Sequence, residues 1–489
     1  MMDIPQINSM VPVSDLVQLN DALRKSAEVG YQTPAGMSSG SMSPLVPQSI
    51  EGTLASATYS MKELVLWPAI AKRNVGQTVH EFTRIEDHGL DLDPFIAEGG
   101  GGVTNKSVYS REFVKVKYLA ERREVTDVAS MVNLIGPSPN AIAEETTRGT
   151  LRLLQKLERS LFYADSALAD TQFDGIFKQL QTGSPDNFFD LGGNGLTVDF
   201  LQEKLGETYG APNFGRVDTI YVEPRVHQDL IRQTVSYGRH DQLQVSDSSS
   251  LTFGTKNLSI MAPYGPVAIK SAPFLFKAHA APSAGSGTTN APATPVFTDQ
   301  PAGGSVEGAP AHNGADATAS KWATADAGDY FYKVVAVSKT GFSAPLASSA
   351  TAVSAGQKIN MTIDDHAVTA KGSATNPITY YRVYRSDKGG TAATCKMIAE
   401  VPVNASGINN ASGQAGTLIR DVNGDVQNTS NVLAVSHDPG VLEVVRLLDF
   451  MRRPLAEVAT TKPFLLMLFL SPILKVSSKT FGIKNVGIG

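Results

Sequence analysis

Leu16, Leu19, Leu23 and Ala27 recur at helical spacing, which predicts one short amphipathic helix near the start of the chain. The stretch Thr33 to Pro44 that follows is built of small and breaker residues without an apolar period. Such a segment buries too little surface to order itself alone and becomes ordered only along another surface. Residues 1–60 therefore read as an arm, and 61–77 as the lead into a different pattern. Val114, Val116 and Tyr118 alternate with Lys115 and Lys117, the two-residue period of a half-exposed strand. Thr78 to Glu86 is its predicted antiparallel partner, so 78–125 reads as a long β-hairpin. The polar loop between the strands carries Gly99, Gly100, Gly101 and Gly102. Isolated hairpins are marginally stable in water, so this one is expected to rest on another surface.

Residues 126–196 contain the clearest periodic signal. Leu154, Leu157, Leu161, Ala164 and Leu168 form an apolar stripe at three- and four-residue steps. Ser138 is a plausible N-cap with Pro139 behind it, and Glu144 precedes Arg148 at i,i+4 with the acid first. The expected helix covers about 138–169, roughly 45 Å at 1.5 Å per residue. From 197 to 281 the pattern is mixed. Thr197 caps a helix with Leu201 and Leu205 on one face, and Val217–Val222 reads as a strand. Pro224 opens a second helix through Val226, Leu230 and Ile231. Leu258–Ala262 and Pro266–Ile269 read as strands around the turn Pro263-Tyr264-Gly265.

Near Ala280 the composition shifts to Ala, Gly, Ser, Thr and Pro, as in a linker that runs to Lys321. Strand signals then follow at short spacing: Tyr330–Ser338, Lys358–Ile363, Ile378–Ser386, Met397–Val401 and Thr417–Val422. Turn residues separate them, which predicts a β-sandwich of about 100 residues within 282–436. In 437–489 the earlier style returns. Val441, Val444, Val445 and Leu448 are spaced as a short helix, and Pro463–Val476 reads as a buried strand. The fold class expected is α+β, with an all-β module inserted into the larger body.

The 489 residues are enough for two to four domains, and 42% of them are hydrophobic, enough for real cores. Net charge is −5, so the basic excess of a dedicated nucleic-acid binder is missing. The single cysteine, Cys395, excludes an internal disulfide framework and a cysteine-based zinc site, and reads as a small buried hydrophobe. No secretory signal is visible after Met1. The most apolar run, Pro463–Leu474, is interrupted by Ser471 and Pro472 and falls short of the ~20 residues a bilayer span needs.

Motifs that would carry chemistry fail on their context. Gly36-Met37-Ser38-Ser39-Gly40 has the spacing of a serine nucleophile, but it lies between Pro34 and Pro44 in linker-like chain, where no strand-to-helix turn can form. His80-Glu81 lacks the second histidine of a zincin. Asp421-Val422-Asn423-Gly424-Asp425 opens like a calcium loop, yet Val426 stands where glycine is needed and Val432 where a bidentate Glu belongs, so a turn between strands is favoured. Asp87, Asp91 and Asp93 read as a solvated acidic loop. Gly99 to Gly102 lead into a strand and not a helix N-terminus, which favours a flexible loop tip over a phosphate cradle. No catalytic, cofactor or metal constellation is expected.

The order of these pieces resembles the Hong Kong 97-type major capsid proteins of tailed bacteriophages. The resemblance is carried by the arm, the extended hairpin loop, the long helix and the mixed segment from Thr197. The phrase Phe173-Asp174-Gly175-Ile176-Phe177, just after the helix, is also similar to that family. The resemblance implies a structural protein that self-assembles as hexamers and pentamers into an icosahedral head around double-stranded DNA. It implies no enzyme activity, no cofactor and no membrane partner. Scaffolding, portal and decoration proteins are the further partners it implies, and the virion, assembled in the host cytoplasm, is the location. Gly99, Gly100, Gly101 and Gly102 would form an inter-subunit loop tip. Tyr330–Pro345 and Tyr380–Ser386 resemble strands of fibronectin type III or immunoglobulin-like domains, in reversed order. An encapsulin-type nanocompartment shell, or a tail or adhesion protein with a surface-binding sandwich, are the alternatives.

Overall fold

The computed structural model describes residues 60–89, 93, 95–96, 98–102, 104–131, 140–236, 259–282, 291–297, 311–315, 319–364, 378–403, 408–409, 415–457 and 460–488. The predicted N-terminal helix, the breaker stretch with Gly36–Gly40, Asp91, and the Ser138-Pro139 cap lie outside them. Residues 58–131 and 141–489 make one compact unit, and the account below concerns that unit.

In chain order, a short helix α1 (Leu66–Ala69) leads to β1 (Ala71–Asn74), β2 (Val79–Asp87), β3 (Val108–Lys115) and β4 (Lys117–Thr126). Helices α2 (Asp127–Met131), α3 (Ala141–Tyr163) and α4 (Ile176–Gly183) follow, then β5 (Phe188–Asp190), α5 (Val198–Tyr209), β6 (Thr219–Val222), α6 (Pro224–Ser236), β7 (Ser259–Ala262) and β8 (Gly265–Ser271). The next stretch is all strand: β9 (Ala311–Ala315), β10 (Gly328–Tyr330), β11 (Tyr332–Ser338), β12 (Leu346–Ala347), β13 (Thr351–Val353), β14 (Gln357–Asp364), β15 (Ile378–Arg385), β16 (Lys396–Pro402), β17 (Ile408–Asn409) and β18 (Ala415–Asp421). The chain ends on β19 (Thr429–Val435), β20 (Leu442–Pro454), β21 (Thr461–Leu474) and β22 (Phe481–Gly487). The fold is α+β, with few helices and many strands.

Three cores organise these elements. Helix α3 lays Leu153, Leu154, Leu157, Leu161 and Phe162 against the four-stranded sheet β1-β20-β21-β4. The second core lies on the six-stranded sheet β5-β22-β19-β6-β8-β7, where Leu201 and Leu205 of α5 and Val226 and Leu230 of α6 cover Ile220, Val267 and Ile483. Thr197 accepts the Phe200 N–H at 3.3 Å and caps α5 as the sequence predicts. The third core fills the space between two four-stranded antiparallel sheets, β12-β11-β15-β16 and β17-β18-β14-β9. Tyr332, Val334 and Val383 from one meet Ile359, Met361 and Ile419 from the other.

Four expectations are corrected. Helix α3 has 23 residues and stops at Tyr163, short of the predicted 169. Beyond it polar groups capture the backbone: the Asp165 carboxylate accepts the Ala167 N–H, Asp174 accepts the Ser166 N–H, and Gly175 donates to the Ala164 carbonyl. Residues 442–454, read as a helix from Val441, Val444, Val445 and Leu448, form strand β20, paired with β1 on one edge and β21 on the other. Over its first four residues, Leu442–Val445, both faces of this strand are covered, Val444 in the first core and Val445 against Val116 and Ile473. Its apolar residues therefore run on instead of alternating. The hairpin is shorter than 78–125. Val116 breaks the strand, and Lys117–Thr126 joins β21 as β4. Finally, parts of the linker-like stretch belong to the sandwich: Phe297 bridges to Ile363 and β9 pairs with β14.

Gly175 joins α3 to α4. A Cβ there would come within 2.8 Å of the Ala164 nitrogen and the Phe162 carbonyl oxygen, both backbone atoms that cannot rotate away. Gly175→Ala is expected to destabilise the body by about 1–3 kcal/mol, the usual range for overpacking. Urea unfolding that shows no change in midpoint would contradict this.

Candidate assembly surfaces

Strands β2 and β3 pair antiparallel from Val79↔Lys115 to Asp87↔Val108 and form a two-stranded sheet with two unlike faces. One face rests on the body. Phe82 and Val114 pack against Val116, Val445 and Ile473, and the Arg84 guanidinium donates to the Lys475 carbonyl. The other face is bare. Val79, Ile85, Tyr109 and Phe113 lie on it and are 42%, 55%, 62% and 64% exposed. Ile85 sits directly opposite Tyr109, whereas Val79 pairs with Lys115, Phe113 with Glu81 and Thr83 with Arg111, so apolar and charged side chains share this face.

Gly99, Gly100, Gly101 and Gly102 lie in the loop joining β2 to β3, and all are exposed. Gly99 has φ +80°, a left-handed conformation that favours glycine, and a Cβ added at 99, 101 or 102 would meet open space. Of the acids in that loop, Asp87 accepts the Gly89 N–H and Asp93 the Phe95 N–H, as turn formers do.

The sandwich is tied to the body by polar contacts. Lys321 pairs with Asp190, Lys277 with Asp425 at 2.7 Å, and Lys484 donates to the Gly424 carbonyl at 2.9 Å. Asn485 bridges Asp190 and the Gly424 carbonyl. The calcium-like run is consumed here. Asp421, Asn423 and the Asp425 carbonyl all accept from the guanidinium of Arg385, whose side chain is fully buried. His279 to Ala281, at the entry to the module, run alongside β16, with Met397 donating to the His279 carbonyl. Cys395 is buried beside Val335, Tyr384 and Met397, and burial pushes its thiol up to about 11. That agrees with the hydrophobe predicted.

Glu158 illustrates what sequence reasoning missed. It faces inward from α3, 1% exposed, and accepts N–H bonds from Val65, Leu66 and Trp67 at 2.6–3.0 Å. Burial pushes its carboxyl above the usual range, while those three donors oppose the shift. A glutamate in a helix is ordinarily solvated, and nothing local marked this one.

No family model matches the chain. Among curated proteins, it is 22% identical over 487 residues to the major capsid protein of Staphylococcus phage K, covering 96% of both chains. The chain is thus similar to phage major capsid proteins along nearly all of its length. The same identity and coverage hold for the major capsid protein of Staphylococcus phage S25-3. Among solved structures, the chain matches the capsid of a native GTA particle at TM-score 0.42 and 7% identity, over 90% of this chain and 95% of that one. The encapsulin complex of Synechococcus elongatus PCC 7942 gives 0.41 and 8% over 89% and 93%. The alignment with the Staphylococcus phage K protein covers 96% of this chain, so it takes in most of the sandwich.

Proposed function

We propose that the chain is the major capsid protein of a tailed phage, building a closed icosahedral head of hexamers and pentamers around double-stranded DNA. The observation that carries this is the match to phage major capsid proteins along 96% of the chain. The exposed face of the β2–β3 hairpin supports it, because a second copy lying on it would cover Val79, Ile85, Tyr109 and Phe113. In this reading the hairpin of one subunit lies across its neighbour, and repetition by symmetry turns modest contacts into a stable shell. The body would follow the Hong Kong 97-type fold, with α3 as its spine and the six-stranded sheet as the axial domain. The sandwich reads as an immunoglobulin- or fibronectin-like insertion, decorating the particle. Scaffolding and portal proteins are the further partners, and the virion, assembled in the host cytoplasm, is the location.

Gly99, Gly100, Gly101 and Gly102 would let the loop tip take different tilts in non-equivalent subunit positions. Deleting the four is expected to lower the yield of closed particles at least tenfold in sedimentation, with unfolding of the isolated subunit unchanged. Wild-type particle yield from the deletion would remove the loop tip from the assembly mechanism.

A further inference from the structure

A groove of roughly 1290 Å³ runs between β4, α3, the segment around Phe274 and the edge of the sandwich, and His279 lies in its wall. Lysine and arginine supply eight of the lining residues, against one acid, Glu121. His279 stands where the chain leaves the body for the sandwich, and it touches both. Its carbonyl accepts the Met397 N–H at 2.9 Å and Ala280 bridges to Lys396, so the backbone here runs with the sandwich sheet. Its ring faces α3 instead, where Nε2 lies 2.7 Å from the Arg159 guanidinium. A guanidinium carries only donors, so this contact exists only while Nε2 is unprotonated and accepts.

Cations surround the ring. Helix α3 brings Arg159 and Lys156, β15 brings Arg382, and Lys339 follows β11. The opposing acid is Glu400 of β16, already engaged with Arg382 at 2.9 Å. On the histidine's own segment, Lys277 is paired with Asp425 and the Phe276 ring meets the imidazole edge-on at 5.0 Å. Burial, then Arg159 and Arg382, push His279 down to about 4. The sandwich's other attachment answers acid differently. Burial raises the Asp190 and Asp425 carboxyls, but Lys321 and Asn485 at the first and Lys277 at the second outweigh it, and both stay below the ordinary carboxylate range. Those pairs outlast the histidine contact as pH falls. We propose that His279 is an acid-sensitive latch: neutral, it holds the sandwich edge on α3, and on taking up a proton it lets that edge swing out about the attachments at Asp190 and Asp425. Released, the ring regains its ordinary value of 6.5, so protons favour the released state. The latch is therefore fully closed above pH 6.5 and is lost as pH falls toward about 4. It lies within one chain and stands apart from the shell reading.

Distances between two spin labels on the full chain test it. Gln155→Cys on α3 and Lys339→Cys on the sandwich place the labels on opposite walls of the groove, and native Cys395 is buried away from the reagent. Labelled chains are diluted into unlabelled ones, so that only distances within a chain are read. From pH 7 to pH 5 the ratio of long to short distances should rise on the order of twentyfold, the factor that a shift from 6.5 to about 4 allows. His279→Gln, which can still accept from Arg159 but takes up no proton, should keep the short distance at both pH values. His279→Lys, charged at both, should show the long distance already at pH 7. A wild-type chain whose distances do not change between pH 7 and pH 5 overturns the proposal. So does an equal acid shift in His279→Gln, or a closed His279→Lys chain at pH 7.

Discussion

Replacing Arg385 with methionine is expected to destabilise the sandwich by about 3–5 kcal/mol, the cost of leaving a buried partner charge uncompensated. The guanidinium donates to Asp421 at 2.6 Å, Asn423 at 2.7 Å, Gln427 at 3.0 Å and the Asp425 carbonyl at 3.2 Å. It also stacks 4.6 Å from the Trp322 ring centroid. Asp421 additionally accepts from the Tyr332 hydroxyl, itself buried, so the substitution strands a carboxylate in the sandwich core. Asp421 closes β18, and Asn423 to Gln427 form the link to β19 of the body. Loss of Arg385 should therefore loosen the module on its mount as well as unfold it sooner. Urea unfolding followed by tryptophan fluorescence reads this through Trp322. Combining Arg385→Met with Asp421→Asn should cost clearly less than the two single changes summed, since the second removes the stranded charge. Strict additivity would show that the pair is not coupled as the geometry requires.

The second large effect concerns assembly and leaves the subunit intact. Ile85→Asp together with Phe113→Asp places two charges on the bare face of the hairpin. Both positions are more than half exposed, so subunit stability should move by no more than about 0.5 kcal/mol. Full burial of each side chain contributes about 1.5–3 kcal/mol, and their joint loss at every contact corresponds to roughly a hundred- to ten-thousand-fold weaker association. Sedimentation should show soluble subunits in place of particles. Particles forming at the wild-type concentration would mean that this face is not covered by a neighbour.

Local chemistry was legible before the fold was known. The Thr197 cap, the Leu201 and Leu205 face, and the Glu144–Arg148 pair, which closes at 2.7 Å, are each set by residues within four positions of one another. The same is true of the tight Phe173–Phe177 connection. Strand β20 was not legible, because Val441, Val444, Val445 and Leu448 fit a helical stripe equally well. Only pairing with β1 and β21, hundreds and tens of residues away, decides for the strand. Glu158 and Arg385 escaped for a related reason. A charged residue earns a buried place through partners distant in sequence, and here those partners are the backbone at 65–67 and the turn at 421–427. The basic groove is the extreme case. Its charges come from β4, α3 and two points in the sandwich, while the chain as a whole is acidic.

Electron microscopy of the purified full-length chain tests the central claim most directly. The account predicts closed shells of uniform size with fivefold and sixfold clusters of subunits. Fibres, or discrete small oligomers at every concentration, would contradict it.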